Sequence, residues 1–229
     1  MPNRPGKPAP TPARWVECVT LFVIAPGVCA ALFARSIPPF DSPRWLFPAL
    51  WLWGIACLTL LLTDRSFDRR DLWRWSGLTW TALRPVLLRF LWIAPLLTAF
   101  VALAYPDRLF EFPRERLRIW VFVMIGYPIA SVYAQEVIFR PFFAHRYRAL
   151  FPATIPMLAA NAFVFGWVHI VFLNPLAVVL TLPAGVLFLS TYLRTRSTAT
   201  ACVEHALYGC FTFTLGLGRF FYSGAVNPG

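Results

Sequence analysis

The chain has 229 residues, of which 59% are hydrophobic and 14% charged, and its formal net charge is +11. This composition excludes an ordinary soluble domain, in which roughly 25% of the residues are charged. The positive charge does not indicate nucleic-acid binding, because the basic residues form short clusters beside apolar runs, where anionic lipid headgroups are the nearer partner. One such cluster contains Arg65, Arg69, Arg70 and Arg74.

Uncharged runs close to the ~20 residues that cross a bilayer recur along the chain. They are continuous rather than alternating, so they predict helices and not the strands of a barrel. We therefore predict an all-α fold, a polytopic transmembrane bundle of about seven helices, with spans near residues 15–34, 45–63, 86–104, 119–139, 155–173, 175–193 and 200–218. Prolines predict broken helices around an intramembrane cavity. They are Pro141, Pro152, Pro156 and Pro175.

The predicted organisation has four parts. Residues 1–14 are polar and Pro-rich and form a disordered tail, and residues 15–118 hold the first transmembrane helices with an interfacial helix from Asp71 to Arg84. Residues 119–218 form the core that carries the candidate site, and residues 219–229 form a C-terminal tail. With Arg84 and Arg140 left out because they adjoin the spans, basic residues number 11 on the N-terminal side of the membrane and 7 on the other. This favours a cytoplasmic N-terminus in the plasma or inner membrane.

Ionisable residues inside the spans are few, and each costs at least ~2.5 kcal/mol there unless it has a partner or a task. Seven of the ten acids lie in predicted loops, at Asp41, Asp64, Asp68, Asp71, Asp107, Glu111 and Glu115, and Glu17 lies at the edge of the first span. Only Glu136 and Glu204 lie deeper among the acids, together with His169 and His205. Arg140 follows Glu136 by four residues, so the two share a helix face and can form an ion pair. Gln135 adds a neutral polar group.

Each of these residues taken singly is explained by hydrogen bonding between helices, as polar side chains in membrane bundles often show. Taken together they favour function. A carboxylate and two imidazoles on three helices are what activation of a water and stabilisation of an oxyanion require. The set therefore predicts a hydrolytic site within the membrane.

Three segments carry a family resemblance, in the order Gln135-Glu136-Val-Ile-Phe-Arg140, Phe165-Gly-Trp-Val-His169 and His205-Ala-Leu-Tyr-Gly209. They resemble the motifs of the CAAX-protease and bacteriocin-processing (CPBP, or Abi) family, over roughly residues 119–215. The third segment also resembles members linked to exosortase-type protein sorting. The resemblance implies an intramembrane endopeptidase without a cofactor, whose partners are the lipid bilayer and a membrane-anchored or lipidated protein substrate.

In that family the motifs read Glu-Glu-x-x-x-Arg, Phe-x-x-x-His and His-x-x-x-Asn. The resemblance implies that an acid of the first motif and His169 activate water, while His205 and its follower hold the oxyanion. This chain departs twice, with Gln135 at the usual catalytic Glu and Gly209 at the Asn. An amide cannot take a proton from water. We expect Tyr208 or a backbone amide near Gly209 to replace the Asn side chain.

Three explanations of Gln135 stay open. Glu136 or Glu204 acts as the base in a variant subgroup, the protein is a non-catalytic scaffold or pseudoprotease, or Gln135 is an engineered substitution that makes an inactive form. We favour the first, with a desolvated carboxylate that exchanges a proton with water while Arg140 balances its charge.

Two further alternatives have weaker support. A zinc site formed by Glu136, His169 and His205 is compatible with the residue types, but no His-Glu-x-x-His helix supports it. A small transporter would use the same groups as a proton relay, but it is expected to show two related halves with matching broken helices, and the sequence has none.

Overall fold

The computed structural model describes residues 10–221, and within this range the chain folds into seven long helices and contains no strand. They are α1 (Pro12–Ala34), α2 (Pro43–Thr63), α3 (Trp80–Ala104), α4 (Leu117–Arg146), α5 (Thr154–Phe172), α6 (Pro175–Thr195) and α7 (Thr198–Thr214). Helices α1 to α6 are long and apolar enough to cross a membrane. The shorter α7, of 17 residues, carries Glu204 and His205. The predicted all-α bundle of about seven helices is confirmed.

The outer surface of the bundle is apolar. Leu103 of α3 is 85% exposed and Ile155 of α5 is 79% exposed, and further large aliphatic and aromatic side chains point outward on α2 and α4. A soluble domain would bury such residues, whereas the hydrocarbon core of a bilayer accommodates them. The chain is thus a multi-pass membrane protein.

Ion pairs tie helix ends together at one face of the bundle. Glu17, near the start of α1, accepts two hydrogen bonds from Arg146 at the end of α4, at 2.8 and 2.9 Å, and a third from the Tyr147 hydroxyl at 3.2 Å. Asp64, just after α2, lies 2.9 Å from Nε2 of His145. The hydrogen bond from His145 holds the pKa of Asp64 below its usual range. The start of α1 and the ends of α2 and α4 therefore lie on the same side.

Asp71 belongs to this face and lies between α2 and α3, outside the transmembrane helices as predicted, but it is buried. Its side chain is 1% exposed and pairs with Arg74 at 2.8 Å and with Arg196 at 2.5 Å. The Tyr192 hydroxyl donates to it at 3.3 Å, and Thr198 donates to its backbone carbonyl at 2.9 Å. Asp71 thus holds the turn between α6 and α7 to the segment before α3.

The predicted interfacial helix from Asp71 to Arg84 was wrong. The segment forms two short turns, Arg70–Trp73 and Trp75–Gly77, and α3 begins at Trp80. The side chain of Thr79 caps α3 by accepting the Ala82 N–H, so the polar residues after Trp80 continue into a transmembrane helix. Gly77 lies against α7, since its carbonyl accepts the Thr200 hydroxyl at 3.1 Å.

Two turns of π-helix interrupt α4, at Pro128–Val132 and Ile138–Phe142, and they flank the Gln135-Glu136 motif. Such wide turns occur frequently at functional sites. Pro141 lies in the second turn, as predicted for a broken helix. The other three prolines do not break helices. Pro152 lies between α4 and α5, Pro156 lies in the first turn of α5, and Pro175 begins α6.

The predicted tails lie mostly outside the described residues. Of residues 1–14, positions 1–9 are not described, and residues 12–14 form the first turn of α1, capped by the Thr11 side chain. Of residues 219–229, the first three belong to a 3₁₀ turn, Leu217–Phe221.

Candidate active site

A cavity of about 540 Å³ lies inside the bundle, and side chains from all seven helices line it. Most of the lining is apolar. Its polar members include five side chains from α4, α5 and α7, namely Tyr127, Ser131, Gln135, His169 and His205. An apolar cavity of this size with a few convergent polar groups is the usual form of a ligand or active site.

The two neighbouring residues of the α4 motif point in different directions. Gln135 lines the cavity, and its Nε2 donates to the Ser131 hydroxyl at 2.8 Å. Glu136 is fully buried and does not line the cavity. Successive helical residues differ in direction by about 100°. Gln135 therefore faces the cavity, and Glu136 faces the packed interior of the bundle.

Glu136 is held by two partners. Its Oε2 accepts from Arg140 Nε at 3.0 Å, and its Oε1 lies 2.8 Å from Nδ1 of His205. Arg140 is also fully buried, donates to the side chain of Asn161, and lies over the Phe165 ring at 4.6 Å. A charge in this environment persists only with such partners. The predicted i, i+4 ion pair is present.

His205 is fixed on three sides. A carboxylate accepts but does not donate, so the contact with Glu136 places a proton on Nδ1 of His205. Its Nε2 lies 3.0 Å from the Tyr127 hydroxyl. The ring stacks on Phe188 with the centroids 4.6 Å apart. The orientation of the imidazole is thereby set by residues of α4 and α6.

His169 is held by a backbone carbonyl of its own helix. It lies where α5 tightens into a 3₁₀ turn, and its Nδ1 is 2.6 Å from the carbonyl oxygen of Phe165. A carbonyl only accepts, so Nδ1 carries the proton and Nε2 has a free lone pair. His169 lines the same cavity as His205 and Gln135.

Glu204 does not join this cluster. It is buried on α7 but does not line the cavity. Its Oε1 accepts from Arg89 of α3 at 2.7 Å, and Arg89 also donates to Thr191 at 2.7 Å. Neither carboxylate lines the cavity, and the role of Glu136 or Glu204 as the base stays a prediction.

Three participating residues were not predicted. Tyr127 rather than Tyr208 contacts His205, since the Tyr208 hydroxyl has no hydrogen-bond partner among residues 10–221. Asn161 accepts from Arg140 of the buried Glu136–Arg140 pair, and Arg89 forms an ion pair with the buried Glu204. The signal for these two was their polarity within apolar spans.

The comparisons with known proteins support the resemblance. Residues 115–211 match a family model described as "Type II CAAX prenyl endopeptidase Rce1-like". This match supports assigning the chain to the CPBP family of intramembrane proteases. No curated protein and no solved structure matches the chain.

The matched segment contains the whole hydrogen-bonded cluster. Gln135, Arg140, His169 and His205 lie within the matched residues, and so does Tyr127. The cavity walls contributed by α1, α2 and α3 lie outside the match. The chemistry of the site thus comes from the family segment, while part of its shape comes from the first 114 residues.

Proposed function

We propose that the protein is an intramembrane endopeptidase that hydrolyses a peptide bond of a membrane-anchored protein by means of a histidine-activated water. One observation carries the proposal. Two imidazoles, each fixed through Nδ1, belong to a single cavity inside an apolar bundle, and Gln135 lines that cavity beside them. A structural hydrogen-bonding role would not require two ring nitrogens at a cavity.

The cavity supports a substrate with an apolar anchor. Its walls away from the cluster are aliphatic and aromatic, and its volume of about 540 Å³ falls in the range of ligand pockets. The wall residues include Leu21, Leu46, Leu50, Ile93 and Leu97. A lipidated or membrane-embedded segment next to the scissile bond would bury its apolar surface here.

The proposed reaction begins with His169. Its Nε2 takes a proton from water as the water oxygen attacks the peptide carbonyl carbon. Gln135 cannot take this proton, but its amide oxygen can accept a hydrogen bond from the water, because its Nε2 is engaged by Ser131. The tetrahedral intermediate then loses its C–N bond, and His169 returns the proton to the leaving amine. The products are a carboxylic acid and an amine.

Glu136 acts in this proposal as a positioning residue. Its two oxygens are engaged by Arg140 and His205, so it orients His205 rather than contacting water. His205 in turn presents its Nε2 to the Tyr127 hydroxyl, 3.0 Å away, as part of the polar group beside the developing oxyanion. This assignment replaces the expectation that Glu136 is the direct base.

We also propose that the reaction needs no metal. Among residues 10–221, no group of three or more His, Cys, Asp and Glu side chains is arranged to hold a metal ion. In particular, Glu136 Oε1 engages Nδ1 of His205, so the carboxylate and imidazole that zinc would require bind each other. This contact supports the metal-free reaction over the alternative zinc site.

The proposed orientation follows from the charged face of the bundle. The basic clusters after α2, α4 and α6 lie on the same side as the start of α1, and basic residues favour the cytoplasm. We propose a cytoplasmic N-terminus in the plasma or inner membrane. An N-terminal tag should be protected in sealed, right-side-out cells and become accessible to protease on lysis.

The test of the activity is cleavage of a set of membrane-anchored peptides, with and without a lipidated cysteine, by the purified protein in bilayers. The full chain should cleave at least one peptide, and His169→Ala should lower kcat by about 10²–10⁴-fold, the usual contribution of a general base. Gln135→Glu, which introduces a carboxylate into the cavity, should retain or raise activity.

The matched control is His145→Ala, which removes an imidazole that pairs with Asp64 away from the cavity and should leave kcat within about twofold of the parent. If only the Gln135→Glu protein cleaves, the parent is a non-catalytic relative, and the proposed activity is wrong. Equal rates for the parent and His169→Ala would exclude His169 as the base.

A further inference from the structure

Gly209 leaves room for a side chain from another helix. It lies one turn after His205 on α7, and a Cβ built at this position would collide with Cε1 and the hydroxyl oxygen of Tyr127. Real Cβ atoms essentially never show contacts this short, so a side chain at position 209 would require Tyr127 to move. The absence of a side chain at position 209 is therefore what admits the Tyr127 ring beside His205.

The Tyr127 ring is directed by its contacts. It packs edge-on against Phe213 with the centroids 5.2 Å apart, and its hydroxyl reaches Nε2 of His205 at 3.0 Å. Tyr127 and His205 both line the cavity. The hydroxyl is therefore a hydrogen-bond donor beside the imidazole, in the space that a longer residue at position 209 would occupy.

We propose that Tyr127 is a catalytic residue whose hydroxyl donates to the oxyanion of the tetrahedral intermediate. The inference deepens the proposed function and rests on it. A hydroxyl donates one hydrogen bond and accepts others. When both ring nitrogens of His205 carry protons, Tyr127 accepts from Nε2 and donates its own proton in a hydrogen bond to the oxyanion. No covalent bond of Tyr127 forms or breaks. A donor already placed in a water-poor cavity stabilises developing charge without reorganisation.

The proposal also explains why a tyrosine at position 127 occurs together with a glycine at position 209. The related motif has Asn four residues after its His, and an amide side chain there is a donor on α7. In this chain Gly209 supplies no donor, and the phenol of α4 enters the vacated space. Tyr127 and Gly209 therefore form one unit, and changing either alone should impair the site.

The first experiment is Tyr127→Phe, which keeps the ring in place and removes only the hydroxyl. We expect kcat to fall about 10²–10³-fold with KM unchanged, as for loss of one oxyanion donor. Tyr133→Phe on the same helix is the matched control. Tyr133 stacks on Trp73 and does not line the cavity, so its rate should stay within about twofold of the parent.

The second experiment exchanges the donor between helices. Gly209→Asn alone should lose activity and thermal stability because the new side chain collides with Tyr127. Combining it with Tyr127→Ala removes the collision and supplies an amide donor. We expect the double variant to cleave at least about tenfold faster than Tyr127→Ala, which a purely structural role of Tyr127 does not predict.

Both experiments are repeated in the Gln135→Glu background, so the role of Tyr127 is tested even if the parent does not cleave. An inactive parent beside an active Gln135→Glu protein contradicts the proposed function alone. Tyr127 is not the oxyanion donor if adding Tyr127→Phe leaves the cleavage rate of either the parent or the Gln135→Glu protein unchanged. The same holds if adding Gly209→Asn does not raise the cleavage rate of Tyr127→Ala.

Discussion

Replacing Glu136 by Gln should destabilise the bundle by about 3–5 kcal/mol, the usual effect of removing one partner from a buried ion pair. Glu136 and Arg140 are both fully buried, so the substitution leaves the guanidinium without its counter-charge. The amide of Asn161 and the Phe165 ring remain as its partners. Neither carries a charge, and Nη2 of Arg140 already has no hydrogen-bond partner among the described residues.

A double-mutant cycle separates the pair from its surroundings. Glu136→Gln combined with Arg140→Met removes both charges and keeps an apolar stem of similar length. The double variant should be about 1–3 kcal/mol more stable than the sum of the two single losses predicts, because no unpaired charge remains.

Reversible unfolding in mixed detergent micelles, followed by the fluorescence of the ten tryptophans, measures these free energies. Glu111→Gln is the matched control. It breaks the Arg108–Glu111 pair, whose side chains are 40% and 30% exposed, and should cost less than about 1 kcal/mol. If Glu136→Gln costs as little as Glu111→Gln, or if the cycle is additive, the buried pair does not hold α4 in the way argued above.

Two further outcomes follow from the same contacts. Glu204→Gln should lower thermal stability, because it removes the charged partner of Arg89. Its kcat should stay within about threefold of the parent. Loss of nearly all turnover in a folded variant would support Glu204 as the base. Treatment with EDTA or 1,10-phenanthroline should leave cleavage unchanged, since Glu136, His169 and His205 do not form a metal-binding group; inhibition that added zinc reverses would support the zinc alternative.

The sequence predicted the helices well because the bilayer requires a long apolar run in every transmembrane helix, whichever helices it packs against. Continuous apolar runs gave the number of helices, and the spacing of four residues gave the Glu136–Arg140 pair. The segment before α3 was predicted wrongly. Its three tryptophans resembled an interfacial helix, but the Thr79 cap and the contacts of Gly77 with α7 divide it.

The partners across helices could not be predicted from spacing. Spacing within one helix shows which residues share a face, but it does not show which other helix that face contacts. Glu204 and His205 are adjacent in the sequence, yet Glu204 pairs with α3 while His205 binds α4. The burial of Asp71 between α2 and α3 was missed because its partner Arg196 is 125 positions away. Tyr127 was missed because an aromatic residue in a span is common.

The adjacent positions 135 and 136 meet different physical demands, which explains how one carboxylate can be absent while the other is kept. Glu136 compensates a buried guanidinium and fixes His205, so its loss affects folding and the site together. Gln135 borders the cavity, and its side chain donates to the Ser131 hydroxyl. A hydroxyl can donate to a carboxylate as readily as it accepts from an amide. Exchange between Gln and Glu at position 135 should therefore alter the chemistry of the cavity while leaving the hydrogen bonds of the bundle in place. For this reason the Gln135→Glu protein reports on catalysis with little contribution from folding.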